Sequence, residues 1–123
     1  MGLNIEEMDA QISVFAQIES EEAPVVLINK FTAPPAQAEA LPAARTRDAE
    51  FMKAQPGFVS AQLHRGISGS GVFINVAEWE SAAAFRAAFS HPEFRARLDA
   101  YPPGVSASPH LFKKIAVPGV CGD

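Results

Sequence analysis

The stretch that decides the fold is residues 58–79, FVSAQLHRGISGSGVFINVAEW. Residues 58–65 and 72–79 are rich in β-branched and aromatic residues, which favour strands. Between them lies a run of glycine and serine, residues 66–71, which is typical of a turn. The pattern predicts two antiparallel strands joined as a hairpin.

A further strand and a helix are predicted on the N-terminal side of the hairpin. Residues 25–31, VVLINKF, form a β-branched run that is typical of a central strand. Alanine, glutamate and leucine then favour a helix from Pro34 and Pro35 to about Ala54. Because a proline inside a helix removes one hydrogen bond, Pro42 predicts a kink or a late helix start.

On the C-terminal side the sequence predicts a second helix and a last strand. Ser81 begins an alanine-rich helix, and Ser90 with Glu93 forms a capping box that starts a second, abutting segment. Residues 111–117, LFKKIAV, read as the last strand. The order β-α-β-β-α-β predicts an α+β fold, the ferredoxin-like plait with an antiparallel sheet.

Segments outside the plait complete the predicted organisation. Residues 10–18 alternate apolar side chains with a period of two, which indicates a half-buried strand. We therefore divide the chain into an N-terminal arm over residues 1–23, a ferredoxin-like domain over 24–117 and a C-terminal tail over 118–123.

Composition excludes several classes of partner. The chain has 123 residues with a net charge of -4, so it lacks the basic surface of a nucleic-acid-binding protein. No segment approaches the ~18 apolar residues that span a bilayer, and the N-terminus is acidic where a signal peptide is basic. The single cysteine, Cys121, cannot form an internal disulfide. We expect a cytoplasmic protein with no nucleic-acid or membrane partner.

Polar residues on the predicted strands indicate a pocket. With a turn over residues 66–71, side-chain alternation places Gln62 and His64 on the same face as Asn75 and Trp79. An unpaired buried amide costs about 1–3 kcal/mol, and a polar-lined pocket on the helix-covered face explains such groups. The alternatives are structural hydrogen bonds for the amides and a core position for Trp79.

No metal or cofactor motif is present in the sequence. His64, His91 and His110 lie on separate predicted elements without the spacing of metal ligands. The glycines of the hairpin turn do not precede a helix, as a phosphate-binding or dinucleotide-binding loop would require. We predict neither a metal site nor a bound cofactor.

Residues 75–81, NVAEWES, followed by Ala84, Phe85 and the segment HPEF at 91–94, resemble the antibiotic biosynthesis monooxygenase family. The resemblance covers about residues 24–117. It implies the dimeric α+β barrel, in which two ferredoxin-like plaits associate through their sheets, and hence a homodimer. The family includes cofactor-independent oxygenases of anthrone-type polyketides, quinol monooxygenases and haem-degrading enzymes.

The resemblance also implies site residues. In the polyketide oxygenases a strand asparagine and a tryptophan four residues later line the pocket, and Asn75 and Trp79 match that spacing. The tyrosine expected six residues after the tryptophan falls at Phe85. In the haem-degrading enzymes Asn29 and Trp79 match pocket residues, but the iron-ligating histidine falls at Leu98, which cannot coordinate iron.

The sequence therefore predicts a monooxygenase that oxidises a small anthrone, phenol or quinol with O₂ and no cofactor. Its substrate oxyanion would accept hydrogen bonds from the amides, and the tryptophan would pack on the ring. The predicted catalytic residues are Asn75, Trp79 and His64, and the predicted substrate-binding residues are Asn29, Gln62, Phe85 and Phe73. The alternatives are a non-catalytic dimeric module that binds a small ligand or is associated with stress, and, more weakly, a haem-degrading monooxygenase.

Overall fold

The structure is a computed structural model that describes residues 3–122. Within that range the chain forms five strands, four α-helices and two short 3₁₀ turns. In chain order they are β1 (Asn4–Ile5), α1 (Val14–Gln17), β2 (Val25–Thr32), a 3₁₀ turn (Ala38–Ala40), α2 (Leu41–Lys53), β3 (Phe58–Arg65), β4 (Val72–Trp79), α3 (Ala82–Phe89), α4 (Pro92–Arg97), a 3₁₀ turn (Leu98–Ala100) and β5 (Ser106–Phe112).

The strands form one sheet in the order β1-β5-β2-β4-β3. Strand β2 runs antiparallel to both β4 and β5, and β3 runs antiparallel to β4. Strands β2 to β5, with α2 and the α3–α4 pair as crossovers, make the ferredoxin-like plait, so the predicted α+β fold is confirmed. The N-terminal segment adds β1 in parallel to β5. Within residues 3–122 no helix is long and apolar enough to cross a membrane.

Helix α2 starts late, as Pro42 predicts. The helix begins at Leu41, and Pro42 occupies its first turn. A proline at that position loses no intrahelical hydrogen bond, because the first N–H groups of a helix have no partner in the helix.

The second crossover consists of two abutting helices, with one cap displaced from its predicted position. Ser81 caps α3 by accepting a hydrogen bond from the Ala84 N–H at 3.0 Å. The predicted capping box at Ser90 is wrong, because Ser90 keeps helical backbone angles and ends α3. His91 is extended instead, and its Nδ1 accepts the Glu93 N–H at 3.0 Å, so His91 caps α4.

The last strand lies five residues earlier than predicted and contains Pro109. The N–H and C=O of Leu111 bond to the side chain of Gln17 on the outer edge of β5. Since side-chain and hydrogen-bond directions repeat every second residue, the nitrogen of Pro109 also faces that outer edge. Strand β1 pairs only with Ser106 and Ala107, so Pro109 breaks no ladder bond.

The predicted strand over residues 10–18 is wrong, because part of it forms α1. The Ser13 side chain caps this helix by accepting the Ala16 N–H at 3.1 Å. Val14 and Ile18, four residues apart, are both buried in the core, which is helical spacing. Gln17 then occupies the free edge of β5, where its amide replaces a neighbouring strand.

The β3–β4 register differs from the predicted one by a single residue. Arg65 lies opposite Phe73, and Leu63 lies opposite Asn75. The Gly66 N–H donates to the Val72 carbonyl at 2.8 Å, so the pairing continues to these two residues and the turn is residues 67–71, one residue shorter than predicted, with Ser68 and Gly69 both at positive φ. A one-residue shift exchanges the two faces of a strand. Near the other end a bulge between residues 58 and 60 restores the predicted pairing of Phe58 with Trp79.

Candidate active site

A cavity of about 390 Å³ lies between the sheet and the helices α2, α3 and α4. Its volume falls in the range of small-molecule sites, about 300–1,000 Å³. Its walls come from two buried apolar clusters, one around Trp79 and Phe85 and the other around Phe31 and Tyr101. Lys53, Ser60 and Ile5 are exposed residues of its lining.

Two asparagines form the floor of the cavity. Asn29 on β2 and Asn75 on β4 are direct cross-strand partners. The Nδ2 of Asn75 and the Oδ1 of Asn29 are buried and make no hydrogen bond with the part of the chain that the structure describes. Each such group costs about 1–3 kcal/mol when it stays unpaired. One donor and one acceptor are therefore available to a ligand.

Trp79 is both a core residue and a wall of the cavity. It is 1% exposed, and its ring meets Phe58 and Phe85 edge-on, at centroid distances of 5.4 and 5.6 Å. This packing fixes the orientation of the indole. Its Nε1 is also buried without a partner among residues 3–122. The cavity thus offers a second unused donor on the same face as the asparagines.

The opposite end of the cavity carries an ionic cluster that sequence reasoning missed. Asp48 on α2 accepts a hydrogen bond from the Tyr101 hydroxyl at 2.7 Å and pairs with Arg45 at 2.7 Å. The ring of Tyr101 stacks on Phe31 at 5.7 Å. The i,i+3 spacing of Arg45 and Asp48 was the available signal, but it is equally typical of a surface ion pair.

Burial of Tyr101, with the Asp48 carboxylate beside it, raises the pKa of the phenol far above its ordinary value of about 10. The hydroxyl therefore stays protonated, as a donor to Asp48. A raised folded-state pKa contributes stability that is complete below the unfolded-state pKa, near 10, and is lost as pH rises toward the folded-state value.

Tyr101 is the single tyrosine of the chain, so its ionisation can be followed directly. We expect no phenolate absorbance at 295 nm at pH 10–11 while the protein is folded, and its appearance together with unfolding at higher pH. Protein unfolded in urea should titrate near pH 10. A phenolate that forms near pH 10 in the folded protein would contradict the buried Tyr101–Asp48 bond.

The structure brings some of the predicted site residues together and separates others. Asn29, Asn75, Trp79 and Phe85 line the cavity, as does Leu98. Phe73 is not among the described lining residues. It is buried in the cluster around Phe31 and Tyr101, with the guanidinium of Arg65 over its ring.

The other two predicted residues lie on the opposite sheet face. Gln62 pairs with Val76 and His64 with Ile74, and both side chains are exposed. They bond to backbone carbonyls, Gln62 to Leu63 and His64 to Ile74. The register shift separates them from the cavity. Across residues 3–122, no three metal-ligating side chains of histidine, cysteine, aspartate or glutamate come together.

These features define an α+β protein of the ferredoxin-like class with a largely apolar ligand cavity between sheet and helices. The chain belongs to the antibiotic biosynthesis monooxygenase family, whose sequence profile matches residues 24–99. Among curated proteins none matches the chain significantly.

Solved structures agree with this assignment. A candidate monooxygenase from Shewanella loihica PV-4 is 35% identical, with a TM-score of 0.68 over 80% of this chain and 100% of that one. SnoaB, a cofactor-independent oxygenase from Streptomyces nogalater, is 29% identical, with a TM-score of 0.63 over 80% of this chain and 99% of that one. A protein of Caulobacter crescentus at 16% identity shares the fold, with a TM-score of 0.65.

Proposed function

We propose that the protein is a cofactor-independent monooxygenase that oxidises an electron-rich aromatic substrate of the anthrone, phenol or quinol type with O₂. The observation that carries the proposal is the set of buried unpaired groups in one cavity: Asn75 Nδ2, Trp79 Nε1 and Asn29 Oδ1. Two donors and one acceptor on an aromatic-lined surface fit a planar ring that bears oxygen substituents. The similarity to SnoaB supports the same chemistry.

The donors act on the substrate oxygens. Asn75 Nδ2 donates to the carbonyl oxygen, which becomes an enolate or phenolate when the substrate loses a proton, and Trp79 Nε1 is available to a further oxygen of the substrate. Asn29 Oδ1 accepts from a neighbouring hydroxyl group of the substrate. Fixed donors in a buried site stabilise a developing oxyanion more strongly than water does, since they need no reorganisation. Stabilisation of the anion lowers the pKa of the substrate, so that its proton passes to water.

The substrate itself supplies the electrons. The methylene carbon of an anthrone loses a proton, and the resulting carbanion reduces O₂ and forms a C–O bond, giving a hydroperoxide after protonation. Loss of water then breaks the O–O bond and leaves a second carbonyl group. One oxygen atom enters the quinone and the other leaves as water, so the step balances without a further reductant. Phe85 and Trp79 hold the ring during these steps.

Oxygen consumption separates this proposal from a non-catalytic ligand-binding module. With a panel of anthrones and quinols we expect uptake of one O₂ per substrate, together with the absorbance of the quinone product. A protein that binds these compounds in calorimetry and leaves the rate of O₂ uptake at the buffer value would be a binding module. The haem alternative gains no support, because Leu98 lines the cavity and its described lining contains no histidine.

We also propose that two copies of the chain pair through the sheet face opposite the cavity. Helices α2, α3 and α4 cover the cavity face, whereas the other face presents the apolar side chains Val26, Ile28, Val72, Ile74 and Val76. Val72 at its edge is 37% exposed. An apolar sheet face of this kind is typical of a self-complementary interface.

Sedimentation tests the dimer. We expect a species of twice the chain mass of 13.1 kDa at micromolar concentration. Ile28→Lys should give a folded monomer, because a lysine at the centre of that face would bury a charge against its symmetry mate. Ile67→Lys, in the exposed hairpin turn, is the matched control and should stay dimeric. A wild-type monomer under these conditions would refute the interface.

A further inference from the structure

The ionic cluster at the far end of the cavity has unused hydrogen-bonding capacity. Arg45 donates a hydrogen bond from Nη1 to Asp48, whereas its Nε is buried and bonds to no other group among residues 3–122. The hydroxyl of Tyr101 donates to Asp48, which leaves the lone pairs of its oxygen available. All three residues line the cavity. This end therefore presents one N–H donor beside one oxygen acceptor.

The charge of the cluster is already balanced. The Arg45 guanidinium lies 2.7 Å from Asp48, and both side chains are largely buried, so the pair is neutral as a unit. Lys53 is the other lysine or arginine among the described lining residues, and it is exposed. Lys53 follows Arg45 by eight residues on α2, a distance of about 12 Å at the helical rise. A carboxylate brought to this end would face Asp48 without a free positive charge.

The position of the cluster relative to the asparagines sets the shape of a ligand. Tyr101 stacks on Phe31, which follows Asn29 by two residues on the same face of β2. Two residues along a strand are about 7 Å. A ligand whose oxygen meets the Asn75 donor thus extends about one or two fused rings before it reaches the cluster.

We propose that this end of the cavity recognises a neutral substituent that both donates and accepts a hydrogen bond, such as a hydroxyl or a primary carboxamide. The substituent lies on the ring edge opposite the substrate oxygen that becomes the enolate or phenolate. The substrate hydroxyl donates to Tyr101 and accepts from Arg45 Nε, and Asp48 excludes an anionic substituent. This inference rests on the proposed function and narrows its substrate class to polyhydroxylated aromatics that carry such a group.

Three matched product analogues test the proposal by calorimetry, without turnover. They are 1,8-dihydroxyanthraquinones with a methyl, hydroxymethyl or carboxylate group at position 3, across the ring from the carbonyl between the two hydroxyls. For the wild-type protein we expect the hydroxymethyl compound to bind about tenfold tighter than the methyl compound, as a satisfied buried hydrogen bond allows. The carboxylate should bind most weakly.

In Asp48→Asn the carboxylate compound should no longer bind most weakly, and the order of the three affinities should reverse. The variant keeps an acceptor for Tyr101 but frees the charge of Arg45, so the carboxylate should gain at least about tenfold in affinity. Tyr101→Phe should remove most of the preference for the hydroxymethyl compound and leave the methyl compound unaffected. Arg86→Met removes an arginine from a surface ion pair outside the cavity and should change none of the three affinities.

The outcomes separate this inference from the function it rests on. Equal binding of the three compounds, unchanged in Asp48→Asn and Tyr101→Phe, would overturn the specificity and leave the ligand class standing. Binding of none of them to the wild-type protein would overturn both. Circular dichroism confirms folding of each variant, and Tyr101→Phe, an isosteric change, decides the question if Asp48→Asn does not fold.

Discussion

Asn75→Ala should lower the rate of substrate oxidation by about 10²-fold or more, the usual effect of removing one oxyanion donor. The side chain is 2% exposed and its Nδ2 has no partner within the described chain, so under the proposed function its loss removes a donor to the substrate and no internal hydrogen bond of that Nδ2. Asn75→Asp should be slower still, because a carboxylate of nearly the same shape repels the developing anion. The rate is measured as O₂ uptake at saturating substrate.

The matched control is Gln62→Ala, which removes an amide from the neighbouring strand. Gln62 is exposed on the opposite sheet face, so this variant should keep the wild-type rate. Full activity in both Asn75 variants would make Asn75 a structural amide. An equal loss in Gln62→Ala would instead show that the effect is not specific to the cavity.

Asp48→Ala should destabilise the fold by about 3–5 kcal/mol, the typical cost of breaking a buried ion pair by removing one partner. Asp48 is 3% exposed and holds both the Arg45 guanidinium and the Tyr101 hydroxyl. The variant leaves a largely buried positive charge and a buried hydroxyl without their acceptor. Urea unfolding followed by circular dichroism measures the change.

Glu19→Ala provides the comparison for that loss. Glu19 pairs with Arg86 at 3.0 Å, but its side chain is 69% exposed, so the pair contributes about 0–1 kcal/mol. If Asp48→Ala and Glu19→Ala lowered the free energy of unfolding by the same amount, the buried cluster would have no structural role.

The fold was predictable because its strands have strong local signals. The β-branched runs that became β2 and β4 lie within one residue of their predicted bounds. Regular alternation along those two strands was enough to place Asn29, Asn75 and Trp79 on one face. Side chains that project from uninterrupted strands can be assigned to a face from sequence, since the period of two admits little error.

The other parts of the site depend on contacts that local patterns do not encode. The hairpin closes over five residues, 67–71, and not over the predicted six, which places Gln62 and His64 on the other face, and nothing in residues 66–71 distinguishes the two turn lengths. Tyr101 and Asp48 are 53 positions apart and meet only after the plait forms. Pro109 obscured β5, because a proline argues against a strand unless its nitrogen faces a free edge.

The most direct test is the spectrum of bound 1,8-dihydroxyanthrone in the absence of O₂. Without its oxidant the reaction stops at the deprotonated substrate, so the spectrum reports the stabilisation of the anion alone. At a pH below the pKa of the free compound, the wild-type protein should display the anion spectrum and Asn75→Ala the neutral spectrum. A neutral spectrum for substrate bound to the wild-type protein would contradict the proposed stabilisation of the substrate anion in the cavity.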